Sequence, residues 1–249
     1  EHNVLPAVRS IAAPRGLFLV GNSLFFFNNG VHRMIRHVLG KAPEPVACRV
    51  NAAYINGASL SWHDVESYFR PGGIGSYRFD ENNEVVFRDP AEKLWDAVVL
   101  CDSTQGPIHP RLAADFRREA AKDSAICRAR GAEPVFYVTW AYRDRPEMTA
   151  RLADAIIGAA NDCRALAVPA GLAFALAFER RPEAGLIIAD KRHPTVAGTY
   201  LEARVLIESV HGADVRAIGF APGVEPELAA FLRGFAHETA ARFYGRPLG

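Results

Sequence analysis

The chain has 249 residues, of which 49% are hydrophobic and 23% charged, a composition typical of a globular protein with a sizeable core. Its 29 basic and 28 acidic side chains leave a net charge of +1, so it lacks the concentrated positive charge that binds nucleic acids or anionic membranes. No apolar stretch reaches the length of a membrane span, and we expect neither a nucleic-acid partner nor a transmembrane segment.

The compartment and the oligomeric state stay open at this stage. We expect a soluble protein, either cytoplasmic or, if an export signal was removed before Glu1, periplasmic or secreted.

The four cysteines lie far apart and show no spacing typical of a metal site. They are interpreted as buried structural thiols.

Short apolar runs alternate with longer segments of helical periodicity, a pattern that predicts parallel strands joined by helices. Residues 170–178 fit either a strand or a buried helix. In chain order the predicted elements are strand 17–20, helix 24–39, strand 46–50, strand 97–100, helix 111–130, strand 135–139, helix 149–166, helix 195–210 and helix 226–244.

One segment interrupts this alternation. Residues 70–89 contain Pro71 and three glycines, followed by a polar group, which is typical of a loop. Aromatic residues surround the segment, so we predict an ordered, lip-like insertion around 64–95. The predicted organisation is a single domain of residues 1–249, of the α/β class, with three α/β/α layers around a mostly parallel sheet.

Ser23 lies where the first predicted strand ends and the first helix begins, in the sequence GNSL (residues 21–24). A side chain at such a turn of a parallel sheet projects into the crevice where ligands bind. The first N–H groups of the helix lie near it and could stabilise an oxyanion. Ser23 is therefore a candidate nucleophile, although a serine here could also act only as a helix N-cap.

The segment Asp190-x-x-His193-Pro194 places a carboxylate and an imidazole three positions apart. A hydroxyl becomes a useful nucleophile when a base removes its proton, and the base works best when a third group fixes its tautomer. Taken alone, the segment also fits a surface loop whose histidine contacts the next helix. Together with Ser23, in the order Ser, Asp, His, it predicts a catalytic triad.

These two blocks resemble those of the SGNH/GDSL-type serine hydrolase superfamily. Residues 21–24 are similar to its GDSL block, with Asn22 in place of the usual aspartate, and the Asp190-x-x-His193-Pro194 segment is similar to its C-terminal block. Residues 195–201 also resemble the helix opening of several bacterial SGNH-like hydrolases. The resemblance implies the flavodoxin-like SGNH hydrolase fold and no metal or organic cofactor.

The resemblance also implies an oxyanion hole with three donors: the nucleophile's N–H, the N–H of a glycine after the second strand and a side-chain amide after the third. Ser23 and Gly57 are the candidates for the first two, although Gly57 could serve only a turn that needs positive φ. The expected GxND block is replaced by CDSTQG (residues 101–106). Gln105 has the right chemistry for the third donor, and Thr104 is a poorer alternative.

Aromatic residues are candidates for the walls of the site. Trp140 and Tyr142 follow the strand predicted at 135–139, at the same edge of the sheet, and could bind an acyl or sugar group. The run Phe25–Phe27 is interpreted as core, although one of its rings could face the crevice.

Two other hydrolase classes are disfavoured. The GxSxG elbow of α/β-hydrolases requires a glycine two positions after the nucleophile, and Ser23 lacks one. The histidines form no HExxH or comparable pair, so we predict no metal site.

The residues and the resemblance together predict a serine esterase that hydrolyses an acyl ester, of acetic or another short-chain acid, through a Ser-His-Asp triad and an acyl-enzyme. The expected substrate is a small-molecule or saccharide ester whose identity the sequence leaves open. Two alternatives remain: acyl transfer on the same triad, and a non-catalytic carbohydrate- or ligand-binding module on a degenerate hydrolase scaffold.

Overall fold

The computed structural model describes residues 1–249, and it contains a sheet of five parallel strands and a separate two-stranded hairpin. The run Ala97–Leu100 is buried at every position, as expected of a strand covered on both faces. The strands are β1 (Gly16–Gly21), β2 (Arg49–Tyr54), β3 (Tyr77–Phe79), β4 (Val85–Phe87), β5 (Ala97–Leu100), β6 (Glu133–Tyr137) and β7 (Leu166–Val168).

Helices connect and cover these strands. Thr195 caps the helix that begins at Val196 by accepting a hydrogen bond from the N–H of Gly198 at 3.2 Å. None of the helices is both long enough and apolar enough to cross a membrane. The helices are α1 (Ser23–Phe26), α2 (Val31–Gly40), α3 (Val65–Tyr68), α4 (Ala113–Ala129), α5 (Met148–Asp162), α6 (Ala170–Arg180), α7 (Val196–His211) and α8 (Pro226–Tyr244).

The five-stranded sheet has the order β2-β1-β5-β6-β7, and every neighbouring pair is parallel. The chain passes from β1 to β2 on one side and later returns to β5 on the other side of β1. In an open parallel sheet, a ligand crevice forms at such a reversal, beyond the carboxyl ends of the strands. The segment after β1, which contains Ser23, therefore lies at this crevice.

The sheet is covered on both faces, and alternate side chains of β1 enter different cores. Leu17 and Leu19 pack with residues of α2, α6, α7 and α8, whereas Phe18 and Val20 pack with residues of α3, α4 and α5. Burial of each such side chain stabilises the fold by roughly 1.5–3 kcal/mol. The resulting three-layer α/β/α arrangement confirms the predicted fold class.

The predicted elements differ from the structure mainly where loops interrupt them. The helix predicted at 24–39 is two helices, because Asn28 and Asn29 adopt left-handed conformations, with φ of 57° and 67°, between α1 and α2. The helix predicted at 149–166 ends earlier, and the residues after it form β7, which is three residues long. The ambiguous segment 170–178 belongs to the helix α6.

The insertion predicted around residues 64–95 contains α3 and the β3–β4 hairpin. The hairpin pairs Tyr77 with Phe87 and leaves both side chains exposed, at 47% and 64%. At the end of the insertion, the Trp95 ring stacks on the Phe18 ring with the centroids 4.0 Å apart. No residue of the insertion lines the cavity of the candidate site described below.

Candidate active site

The turn between β1 and α1 is fixed by Asn22, which is 2% exposed. Its Oδ1 accepts a hydrogen bond from the N–H of Leu24 at 3.1 Å, which caps α1. Its Nδ2 donates to the carbonyl oxygens of Ala58 at 3.0 Å and Asp102 at 3.1 Å. One amide thus joins the three loops that follow β1, β2 and β5, and an aspartate, which has no N–H, could not make the two donated bonds.

The three predicted triad residues form a continuous chain of hydrogen bonds. Ser23 Oγ lies 2.8 Å from Nε2 of His193, and Nδ1 of the same ring lies 2.5 Å from Oδ2 of Asp190. The carboxylate can only accept, so Nδ1 carries the proton and Nε2 is left to accept the proton of the serine. This is the arrangement in which an imidazole acts as a general base towards a hydroxyl.

The loop that carries His193 is organised around Asp190. Asp190 Oδ1 accepts hydrogen bonds from the backbone N–H groups of Arg192 at 2.8 Å and His193 at 3.0 Å. Partial burial raises the pKa of Asp190, but the hydrogen bonds from His193 and Arg192 outweigh it, and the pKa lies below its usual value. Lys191 has a φ of 65°, and this left-handed residue closes the turn between the two triad members.

Two of the predicted oxyanion donors lie at one small cavity beside Ser23. Gly57, at a φ of 72°, occupies the turn after β2, and its N–H donates no hydrogen bond within the protein. The N–H of Ser23, as the first residue of α1, also has no partner. The cavity has a volume of about 240 Å³ and is lined by Asn22, Ser23, Leu24, Gly57, Ser103, Thr104, Tyr142, Arg192 and His193.

Gln105, the predicted third donor, is exposed and does not line this cavity. It directly precedes the 3₁₀ turn Gly106–Ile108 and is exposed, whereas Thr104, the residue before it, is only 8% exposed. Ser103 and Thr104 line the cavity instead. The Ser103 hydroxyl is shared with Ser59 at 3.2 Å and with the N–H of Gly106, whereas the Thr104 hydroxyl makes no hydrogen bond within the protein.

The loop after β5 is organised by a second aspartate, Asp102, which is 4% exposed. Its Oδ1 accepts hydrogen bonds from the N–H groups of Leu60 at 3.0 Å and Ser103 at 2.8 Å. Burial raises the pKa of Asp102 to about 6, against the opposing effect of these hydrogen bonds. Asp102 thereby holds the segment that carries Thr104 against the segment that follows Gly57.

The two predicted wall residues occupy different positions. Tyr142 lines the cavity, and the Arg192 guanidinium lies 3.6 Å from the centre of its ring. Trp140 is 1% exposed and does not line the cavity. Its Nε1 donates to the carbonyl oxygen of Arg192 at 2.9 Å, so this indole supports the backbone of the loop that carries His193. Both residues also border a neighbouring cavity of about 360 Å³.

Sequence reasoning missed a histidine behind the nucleophile turn. His63 is 3% exposed, and its Nε2 lies 2.9 Å from the carbonyl oxygen of Gly21, while its Nδ1 lies 2.8 Å from the Tyr68 hydroxyl. Burial lowers the pKa of His63, which favours the neutral ring. A neutral ring that donates from Nε2 and accepts at Nδ1 satisfies both partners, and no sequence motif marks this role.

Potential metal ligands come together elsewhere in the fold. Glu208, Asp214 and His237 bring three ligand-type atoms within 4.8 Å of one another. His237 Nδ1 lies 2.8 Å from Glu208 Oε1, and Arg216 pairs with Asp214 at 2.8 Å. These partners account for the grouping as an ion-pair network, and none of its members lines the cavity at Ser23.

A serine, a histidine and an aspartate in hydrogen-bond contact, at the carboxyl ends of parallel strands, define an α/β protein with the geometry of a serine-hydrolase triad. No protein-family model and no curated protein matches the sequence.

Solved structures match the fold over most of the chain. A protein from Slackia heliotrinireducens, provisionally assigned to the SGNH hydrolases, is 25% identical, with a TM-score of 0.58 over 80% of this chain and 99% of its own. A DUF4886 family protein from Bacteroides uniformis is 19% identical, with a TM-score of 0.64 over 93% and 96%. An acetylxylan esterase from Geobacillus stearothermophilus is 15% identical, with a TM-score of 0.57 over 85% and 97%. The chain therefore has the fold of the SGNH/GDSL-type hydrolase superfamily, as its two sequence blocks predict.

Proposed function

We propose that this protein is a serine esterase that cleaves a short-chain acyl ester through an acyl-enzyme on Ser23. The observation that carries the proposal is the hydrogen-bonded chain from Ser23 through His193 to Asp190, which ends at an open cavity. A serine that only capped a helix would not need an imidazole at 2.8 Å or a carboxylate behind that imidazole.

The reaction follows from the positions of the donors and acceptors. His193 Nε2 takes the proton of Ser23 as Oγ attacks the carbonyl carbon of the ester, and Asp190 stabilises the imidazolium that forms. His193 then gives the proton to the departing alcohol oxygen. A water molecule, deprotonated by the same ring, cleaves the acyl-enzyme and releases the acid. As the bond between the acyl group and Ser23 Oγ breaks, His193 gives the proton that it took from the water to Oγ, and Ser23 is regenerated.

The negative charge on the carbonyl oxygen needs donors that are already oriented. The free N–H groups of Ser23 and Gly57 supply two of them. We assign the third to the hydroxyl of Thr104, because Thr104 lines the cavity and its hydroxyl has no partner in the protein, whereas Gln105 does not line the cavity. A neutral hydroxyl is a workable donor in place of the amide expected from the superfamily.

Two further observations support an ester with a small acyl group. The cavity of about 240 Å³ lies below the range of roughly 300–1,000 Å³ in which drug-sized ligands bind. The acetylxylan esterase has been solved as catalytic mutants of a serine, an aspartate and a histidine, and its aspartate and histidine are three positions apart, as Asp190 and His193 are. An acetylated saccharide is therefore the first natural substrate to test.

The experiment compares hydrolysis of p-nitrophenyl acetate, butyrate and octanoate by the wild type, Ser23→Ala and Ser61→Ala. Ser61 is an exposed serine outside the cavity and provides a matched control. We expect the wild type and Ser61→Ala to prefer acetate, and Ser23→Ala to lose activity. Equal rates for the wild type and Ser23→Ala would contradict the proposal.

The same assay separates the two alternatives. An acyltransferase releases p-nitrophenol much faster when a saccharide or alcohol acceptor is added, and the acceptor then carries the acyl group. A binding module on a degenerate scaffold releases none and leaves Ser23 unlabelled by a fluorophosphonate probe. The hydrogen bonds that link Ser23, His193 and Asp190 support hydrolysis over the binding module.

A further inference from the structure

The segment that joins α1 to α2 makes two contacts with the loop that carries His193. Phe27 is the first residue of this segment, and its ring lies parallel to the His193 imidazole, with centroids 4.3 Å apart and an angle of 9° between the planes. The Phe26 ring is in turn stacked with the Phe27 ring, with centroids 5.5 Å apart and an angle of 18° between the planes. The imidazole therefore has Ser23 and Asp190 in its plane and an aromatic ring on one face.

The second contact is made by Asn28. Its Nδ2 donates to the carbonyl oxygen of Pro194 at 3.0 Å and to the hydroxyl of Thr199 at 2.9 Å. Pro194 directly follows His193 in the chain, and Thr199 lies in the first turns of α7. Asn28 has a φ of 57°, in the left-handed region that asparagine tolerates better than other non-glycine residues. This left-handed residue lies within the 3₁₀ turn Phe27–Asn29 and kinks the chain between α1 and α2.

Both contacts connect the segment that carries the nucleophile with the segment that carries the base. The face of an aromatic ring bears negative electrostatic potential and attracts a cation above it. When His193 accepts the proton of Ser23, it becomes such a cation against the face of Phe27. The stack therefore stabilises the charged ring more than the neutral ring, and it also restricts rotation of the imidazole out of the plane shared with Ser23 and Asp190.

We propose that Phe27 and Asn28 are positioning residues for the base: Phe27 holds the His193 ring and stabilises its protonated form, and Asn28 fixes the distance between the two chain segments. The proposal rests on the proposed triad and adds to it two residues outside the GNSL and DxxHP blocks. Phe27 and Asn28 are only partly buried, and Phe27 belongs to neither of the two large hydrophobic cores.

The test for Phe27 compares the kinetics and pH profiles of Phe27→Leu and Phe27→Tyr. Phe27→Leu keeps apolar bulk but removes the π face, and we expect kcat/KM for p-nitrophenyl acetate to fall by about two- to thirtyfold. The acidic limb of its pH–rate profile moves to lower pH, because the protonated ring has lost a stabilising neighbour. Phe27→Tyr keeps the π face, so we expect its kcat/KM and its acidic limb to match those of the wild type. The Phe26 ring does not touch His193, and we expect kcat/KM of Phe26→Leu to stay within about twofold of the wild-type value.

The other charged groups near the imidazole are unchanged in these variants. Asp190 contacts Nδ1, and Arg192, on the same loop, is paired with Asp144 at 2.6 Å. If the acidic limb shifts in Phe27→Leu but not in Phe27→Tyr, the shift is therefore attributable to loss of the aromatic face. If Phe27→Leu does not fold, Phe27→Met takes its place. An unchanged kcat/KM and an unchanged acidic limb in the folded variant overturn the role of Phe27.

The test for Asn28 uses its neighbour as a matched control. Asn28→Gly and Asn29→Gly each replace a left-handed asparagine by glycine, so neither introduces backbone strain. Only Asn28 donates hydrogen bonds to the His193 loop, and Asn29 is exposed. We expect about a three- to tenfold fall in kcat with little change in KM for Asn28→Gly, and no fall for Asn29→Gly. Equal kcat for the two variants overturns the role of Asn28.

Failure of this inference is distinguishable from failure of the proposed function. If Ser23→Ala keeps wild-type activity, the esterase proposal fails whatever the Phe27 variants do. If Ser23→Ala is inactive while Phe27→Leu and Asn28→Gly match the wild type in rate and pH profile, the triad stands and the positioning role fails.

Discussion

Two loops at the edge of the sheet are each organised by an aspartate, but the two carboxyl groups lie in opposite environments. Asp190 has a side chain that is 39% exposed and a pKa below its usual value, whereas Asp102 is 4% exposed and has a pKa of about 6. Both accept hydrogen bonds from two backbone N–H groups. Solvent and the imidazole partner account for the difference, so Asp190 keeps its charge in the pH range where Asp102 loses its own.

This difference separates the two halves of the site. The loop of Asp190 carries the proposed base and resembles the superfamily block, while the loop of Asp102 carries Thr104, the proposed third oxyanion donor, and departs from that block. Asn22 contacts the loop of Asp102 directly and so connects it to the segment of Ser23.

The largest effect is expected at Asp190. Asp190→Asn keeps the shape of the side chain but removes the charge that orients and stabilises the His193 ring. We expect kcat to fall by about 10³- to 10⁴-fold with little change in KM, as measured with p-nitrophenyl acetate. Asp144→Asn, which alters a nearby surface carboxylate paired with Arg192, is the control and should change kcat much less. A fall of less than tenfold for Asp190→Asn would remove Asp190 from the triad.

The next effect is expected at Asn22, where the superfamily usually has aspartate. Asn22→Asp replaces two donated hydrogen bonds by contacts between a buried carboxylate and the carbonyl oxygens of Ala58 and Asp102. We expect a fall of about 10- to 100-fold in kcat/KM and a loss of about 2–4 kcal/mol in the free energy of unfolding. Steady-state kinetics measures kcat/KM, and denaturant titration measures the free energy of unfolding. A variant as stable and active as the wild type would show that the amide does not join the loops.

Substitution of the proposed third donor is expected to affect catalysis without the loss of stability expected for Asn22→Asp. Thr104→Val removes the hydroxyl at nearly constant volume, and we expect kcat to fall by about 100-fold, the lower end of the range for loss of one oxyanion donor. Thr104→Ser keeps the hydroxyl and should retain most of the activity, and Gln105→Ala should have no effect because Gln105 does not line the cavity. If the Gln105 variant loses activity and Thr104→Val does not, the third donor is Gln105 as the sequence alone predicted.

The smallest effect concerns stability and pH. The folded protein holds a proton on Asp102 up to a pH of about 6, whereas an unfolded aspartate has a pKa of about 4. Between these two pH values the folded state binds more protons than the unfolded state. The free energy of unfolding therefore falls by about 1–3 kcal/mol as the pH rises through this range. We expect Asp102→Asn to remove that decline, and the exposed Asp89→Asn to keep it, in urea titrations at pH 4 and pH 7. Identical pH dependence in all three proteins would contradict the assigned environment of Asp102.

Features that depend on short stretches of sequence could be predicted. The apolar run 97–100 is a strand with the predicted bounds, and the closing helix 226–244 also has them. Asp190 and His193 are three residues apart, so one turn suffices to bring them together. Ser23 follows β1, so its position at the carboxyl edge of the parallel sheet could be predicted as well.

Other features depend on backbone conformation that residue types do not reveal. The left-handed Asn28 splits one predicted helix into two. The ring of Phe27 stacks on His193, whereas the sequence favours the core for the run Phe25–Phe27 and leaves open which ring could face the crevice. Whether Thr104 or Gln105 faces the cavity depends on the direction of one loop after β5. Trp140 lies near the predicted place but supports the backbone at Arg192 instead of lining the cavity.

The central claim is that Ser23 becomes acylated during turnover. The most direct measurement mixes the protein with p-nitrophenyl acetate, quenches in acid within the first turnovers and maps the acetyl group by peptide mass spectrometry. We expect an acetyl adduct on the peptide that contains Ser23, absent in Ser23→Ala and slower to form in His193→Ala. Release of p-nitrophenol with no adduct on Ser23, or with the adduct on another residue, would contradict it.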